Sequence, residues 1–118
     1  MGQPVAMFEV ISEDRERAQQ FYSSLFDWTI QTDETMGDYA LVDTGAGKDA
    51  VIGGFGPSEN PGDTGVKIYM RVGDLDAYLA RAEELGGSRL VEPTKLPGGY
   101  GSFAMIADPD GNAVGLWS

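Results

Sequence analysis

The run from Val5 to Ile11 reads as a strand, and the periodicity then changes at Asp14, which stands where an N-cap carboxylate accepts the free amides of a first helical turn. Ala18, Phe21, Tyr22 and Leu25 follow at three- and four-residue spacing, so one face of a short amphipathic helix ending near Asp27 is expected to carry them. Three further apolar segments, Trp28 to Gln31, Tyr39 to Val42 and Ala50 to Phe55, are each flanked by Gly, Asp or Thr turn chemistry. They read as strands.

The stretch Gly56 to Gly65 holds two prolines, three glycines and no large apolar side chain, which marks an exposed connection near the middle of the chain. The order then restarts. Val66 to Val72 reads as a strand, Asp74 as a second N-cap, and Tyr78, Leu79, Ala82 and Leu85 as a helical stripe. Gly86-Gly87 stops that helix where a left-handed residue is cheap. Leu90 to Glu92, Ser102 to Ala107 and Ala113 to Trp117 complete a second set of three strands, the last two joined by the turn Asp108-Pro109-Asp110-Gly111.

The two caps, Asp14 and Asp74, stand 60 positions apart, and the same offset carries Leu25 onto Leu85. The chain is thus a degenerate tandem repeat. The expected fold is α+β: paired βαβββ modules, at about residues 1–56 and 65–118 with a linker at 57–64, forming a curved, cup-like mixed sheet with the helices on the outside.

Composition narrows the function. A single domain of 118 residues buries roughly two thirds of its unfolded surface and needs no staple. With no cysteine there is neither a disulfide framework nor a thiolate nucleophile, and with no histidine either, structural zinc of the usual kind is excluded. Hard metals held by oxygen stay open. A formal charge of −11 repels phosphate backbones and anionic lipid, so neither nucleic acid nor membrane is expected as a partner. No apolar run approaches the roughly 20 residues that span a bilayer, and the first residues lack a basic stretch followed by an apolar one. A soluble, cytoplasmic protein is expected.

The order of modules, the helix ending Phe21-Tyr22-Ser23-Ser24-Leu25-Phe26-Asp27-Trp28, the stretch Ala82-Glu83-Glu84-Leu85-Gly86-Gly87 and the Asp-Pro-Asp-Gly hairpin together resemble the vicinal oxygen chelate superfamily. That group includes glyoxalase I, extradiol dioxygenases and the fosfomycin and bleomycin resistance proteins. The resemblance covers the whole chain. It implies a concave face that binds a small organic molecule, a homodimer, and in metal-dependent members a ligand from the first strand of each module plus a glutamate from the last strand. Those positions fall here on Met7, Lys67 and Gly115. A thioether is a poor ligand for a hard divalent ion, an ammonium repels it, and glycine offers no side chain. No metal and no other cofactor is therefore expected.

Strand alternation assigns the faces. Phe8 and Val10 point one way and Met7, Glu9 and Ile11 the other. Ile68, Met70 and Val72 oppose Lys67, Tyr69 and Arg71, and the same parity puts Ala113, Gly115 and Trp117 with the latter set. The apolar sets belong under the helices. The ligand-binding candidates are accordingly Met7, Glu9, Lys67, Tyr69, Arg71, Gly115 and Trp117, with Glu9 and Lys67 as candidate base and acid. A cationic spot in an acidic chain selects a small anion or an enolate-like oxygen. Cross-strand charge pairs at a wet rim, each contributing at most about 1 kcal/mol, explain the same residues. For Glu9 and Lys67 a structural ion pair is the rival, for Met7 adaptable filling, and for Trp117 packing.

The glycine-rich segment Leu96 to Gly101 has no following lysine with serine or threonine and opens no helix, so it is not a phosphate loop. It reads as a long hairpin connection or a flap over the cup. Gly53-Gly54 inside a strand signals a bulge or close backbone approach. The leading expectation is a small-molecule-binding protein without a conventional metal site. The alternatives are a metal-independent lyase or isomerase using Glu9 and Lys67, a metalloenzyme of the glyoxalase or dioxygenase type with relocated oxygen ligands, and an interaction module without a ligand.

Overall fold

A computed structural model describes residues 2–32, 34–37, 39–48, 50–58 and 64–118, without the side chain of Met36. The element order is β1 (Val5–Ser12), α1 (Arg15–Phe26), β2 (Thr29–Thr32), β3 (Ala40–Asp43), β4 (Ile52–Pro57), β5 (Gly65–Arg71), α2 (Leu75–Glu84), β6 (Ser88–Lys95), β7 (Ser102–Ala107) and β8 (Ala113–Trp117). The chain is α+β, and each helix is followed by three strands. Residues 7–67 form one compact unit; residues 68–118, with those up to Ala6, form the other. Of the connection expected at 57–64, Pro57 pairs with Ser12 at the end of β4, and residues 59–63 lie outside the described residues. Among the described residues no helix is long and apolar enough to cross a membrane.

In the unit of residues 7–67 the strand order is β2-β3-β4-β1, antiparallel except for the parallel pair of β1 and β4. Asp14 caps α1 as its position dictates, its Oδ1 accepting from the Arg17 N–H at 3.1 Å. The core is Val10, Ala40, Val42 and Phe55, with Phe8, Ala18, Tyr22, Trp28 and Ile30 packed against it. Phe8 and Val10 thus point toward the helix.

The helix itself sits differently from its apolar stripe. Phe21 and Leu25 are 59% and 60% exposed, and α1 buries no residue completely. Asp27 turns the chain with φ 59°, and the indole of Trp28 stacks on Tyr22 at 5.5 Å with a 6° interplanar angle. The residues of α1 that pack on the core are Ala18 and Tyr22, and Phe21 and Leu25 stand outside it.

The unit of residues 68–118 repeats the plan in the order β5-β8-β7-β6, with β5 and β8 parallel. Asp74 caps α2 through the Ala77 N–H at 3.1 Å. Val72, Leu75, Leu79, Ala104 and Leu116 form the core, backed by Met70, Tyr78 and Ile106. Leu85, expected in the helical stripe, is 64% exposed, because the helix ends at Glu84 and Leu85 is already the cap. Leu75, at the first helical position, takes the inward place instead. Ile68 is 40% exposed, since α2 packs over β6 and β7 and leaves that part of β5 uncovered.

Gly86 turns the chain after the cap with φ 98°, a conformation costly for any residue with a Cβ. The last hairpin is closed by Asp108, whose Oδ1 accepts from the N–H groups of Asp110 and Asn112, both at 2.9 Å, while its Oδ2 accepts from Asn112 Nδ2 at 2.8 Å. The glycine-rich segment is a hairpin connection containing a short 3-10 turn, Pro97–Gly99. It is closed by the Leu96 N–H on the Gly101 carbonyl at 2.8 Å.

Candidate functional site

On the sheet of residues 7–67, the face turned away from α1 carries Glu9. Its Oε2 accepts a hydrogen bond from the Tyr39 hydroxyl at 2.7 Å, in a partly buried setting. The geometry follows from two glycines. Gly54 pairs with Glu9 in register, and a Cβ there would overlap the Tyr39 hydroxyl; a Cβ at Gly56 would stand 3.5 Å from the Glu9 carboxyl and 3.2 Å from Ile11 Cδ1. Glu9 and Ile11 therefore share a face, and the absent side chains of β4 make room for the phenol. The expected approach at Gly53-Gly54 is one of side chains: the Phe8 ring lies over Gly53 and Tyr39 over Gly54, with β1 and β4 in unbroken register.

Met7 is half-buried and pairs with Ile52, and Lys67 is half-buried at the end of the same unit. Among the described residues Lys67 joins no ion pair, and the hydrogen bond that positions Glu9 comes from Tyr39. Tyr39 was not among the residues selected from the sequence. Its signal was Gly54, a glycine in mid-strand opposite a carboxylate.

On the sheet of residues 68–118, Met70, Ile106, Ala104 and Leu116 face α2, which leaves Tyr69, Arg71, Met105, Gly115 and Trp117 on the other face. Tyr69 is 8% exposed, and its ring lies directly over Gly115, its partner in register. Any Cβ at 115 would overlap that ring. Arg71 is exposed, and its guanidinium carbon stands 4.8 Å from the centre of the Trp117 ring. The indole is held by its Nε1–H, which donates to the Tyr100 carbonyl at 2.6 Å, and the main chain of the same residue by the Val72 N–H, which donates to the Trp117 carbonyl at 2.9 Å. Tyr100, a second residue the sequence did not single out, does its work through a backbone carbonyl that any residue carries.

A metal in the superfamily's usual place would draw on Met7, Lys67 and Gly115. They do not fit it. None supplies an oxygen or imidazole donor, and the ring of Tyr69 fills the space into which a carboxylate at 115 would project. Elsewhere among the described residues, no three carboxylates are grouped to hold an ion. A shallow depression of about 530 Å³ beside α1 is lined by polar residues such as Glu16, Arg17 and Gln20, and by none of the candidates above.

Comparison with known proteins agrees with this fold. The chain is 28% identical over 126 residues to the anthracycline biosynthesis protein DauV of Streptomyces sp. (strain C5), and equally to DnrV of Streptomyces peucetius. The match takes in 95% of this chain but 46% of each relative, so the chain spans about half their length. Among solved structures, methylmalonyl-CoA epimerase from Mycobacterium tuberculosis superposes with a TM-score of 0.67 at 17% identity, over 96% of this chain and 85% of that one. A glyoxalase/bleomycin resistance protein/dioxygenase superfamily member from Vibrio splendidus 12B01 gives 0.63 at 16%, over 98% and 97%. At such identities the structural likeness speaks for the fold alone. The family model of the glyoxalase-like domain matches residues 7–116, and the chain belongs to that family.

Proposed function

We propose that this glyoxalase-like protein binds a small organic molecule without a metal ion in the superfamily's customary position, as a cytoplasmic homodimer. The observation that carries the reading is the ring of Tyr69 lying over Gly115. Where the resemblance puts a metal-binding glutamate, this chain has an aromatic wall, and such walls with a few placed polar groups are what small-molecule sites use. The names of the curated relatives, both anthracycline biosynthesis proteins, support a hydroxylated polycyclic aromatic compound as the class of ligand. Homodimerisation rests on likeness to the superfamily, and sedimentation of the purified chain tests it.

Elemental analysis of the purified protein, followed by thermal melting with added Mg²⁺, Mn²⁺, Ni²⁺ and Zn²⁺, tests the metal-free reading. Substoichiometric metal and an unmoved melting temperature are expected; a stoichiometric ion with an upward shift overturns it. Ligand binding is tested by a melting-shift screen of aromatic polyketides. A saturable rise supports the reading, and a flat response across the whole library removes it.

One observation favours a second reading, acid–base catalysis. Tyr39 holds the Glu9 carboxylate in one orientation, as a general base requires. An enzyme using Glu9, with Lys67 as acid, would lose turnover in both Glu9→Gln and Lys67→Met while keeping its fold. A binding protein would show no turnover of any bound compound.

A further inference from the structure

We infer that Arg71 and Trp117 form a binding site for the anionic group of a planar aromatic ligand, a carboxylate carried on a fused ring. The inference rests on the ligand-binding reading above and names the chemistry of one contact within it.

The first argument is electrostatic. The chain holds eight basic residues against nineteen acidic ones, so an arginine is expected to find a carboxylate. Arg17, Arg81 and Arg89 do, pairing with Asp14, with Glu84, and with Glu83 and Glu92. Arg71 is exposed, and among the described residues it has no carboxylate partner; it lies over an indole instead. Cation–π contact satisfies the face of the guanidinium and spends none of its N–H groups, which lie in the plane of the fork. A fork so held matches a carboxylate with two parallel hydrogen bonds, a geometry an ammonium lacks.

The second argument is preorganisation. Trp117 is anchored through Nε1 to the Tyr100 carbonyl at 2.6 Å and through its own carbonyl to the Val72 N–H at 2.9 Å, and Phe103 is its cross-strand partner. The platform that orients Arg71 is therefore set before any ligand arrives, which reduces the ordering cost of binding. Trp117 covers the guanidinium from one side. The N–H edge of the fork is left for the carboxylate, and the ring of an aromatic acid, coplanar with its carboxylate, continues outward in the plane of the fork.

The probe is 2-naphthoate, titrated by calorimetry at low salt, with methyl 2-naphthoate and inorganic phosphate as controls. Saturable binding is expected, weakened about tenfold or more in Arg71→Gln and in the methyl ester, since one charge-assisted contact is lost in each. Arg71→Lys should fall between, and phosphate should bind weakly. Because Arg71 is exposed, these variants should keep the wild-type melting temperature. Equal affinity of wild type and Arg71→Gln, or of the acid and its ester, overturns the site. If 2-naphthoate fails while other compounds raise the melting temperature of wild type and Arg71→Gln alike, the site falls and the ligand-binding reading stands. If nothing in the library binds, both fall.

Discussion

The Tyr39 hydroxyl reaches across β4 to the Glu9 carboxylate on β1, at 2.7 Å, over Gly54, which has no side chain to block it. The bond joins a residue at the edge of β3 to a strand two places away. Such a bond to an ionised partner contributes about 1.5–3 kcal/mol. Tyr39→Phe should accordingly destabilise the protein by about 1–2 kcal/mol in urea unfolding, since Glu9 is only partly buried and water replaces some of the loss. Unchanged stability would show that the bond is not formed in solution.

Gly54→Ala examines the same relationship from below. Its Cβ would overlap the Tyr39 side chain, and overpacking of this kind costs about 1–3 kcal/mol. The penalty should vanish once Tyr39 is cut back to alanine. A double-mutant cycle in urea should give a coupling of about 1 kcal/mol or more between positions 39 and 54, whereas simple additivity would mean that the overlap is relieved in some other way.

In the other sheet the equivalent pairing is Tyr69 with Gly115. Gly115→Glu, which restores the carboxylate that the superfamily resemblance places there, should destabilise the fold by roughly 2 kcal/mol or more through collision with a ring that is 8% exposed. Tyr69→Ala in the same chain should recover part of that stability. Metal affinity should not follow from the single change, because Lys67 and Met7 remain poor donors, and thermal melting with Mn²⁺ measures it.

These pairs also show where the sequence is informative. The two aspartate caps, the parity of β1, β5 and β8 and the Asp108 hairpin all depend on neighbours within a few residues, and each can be read from local spacing. Trp28 defeats the same approach for α1. It lies outside the helix, so the helical periodicity of Phe21 and Leu25 does not reveal that the indole stacks on Tyr22 while both of them stay exposed. Tyr39 and Tyr100 were illegible for a related reason. Their roles come from the registers of β3 on β4 and of β7 on β8, and a register is a long-range choice that leaves at most a glycine as its trace.

The exposure of α1 has a direct consequence for mutation. Phe21→Ala and Leu25→Ala should each change stability by only about 0.5–1 kcal/mol, although both are large apolar residues in an amphipathic helix. Leu79→Ala on α2, which is fully buried, should cost about 2–5 kcal/mol. Urea midpoints for the three variants check the contrast, and comparable losses at all three would mean that Phe21 and Leu25 are covered in solution.

Asp108 supplies a dependence on pH. The side-chain hydrogen bond from Asn112, followed by the backbone bonds of the turn, holds its carboxyl below the ordinary value of 3.8. A carboxyl lowered in the folded state contributes stability that is complete above the unfolded value and is lost as pH falls through the lower folded one. Relative to wild type, Asp108→Asn should therefore melt lower at neutral pH, and the gap should narrow as acid is added below about pH 4. The informative quantity is the difference between the two melting curves at each pH. A constant gap from neutral to strongly acid pH would mean that charge on Asp108 plays no part, and that the turn is held by hydrogen-bond geometry which asparagine reproduces only in part.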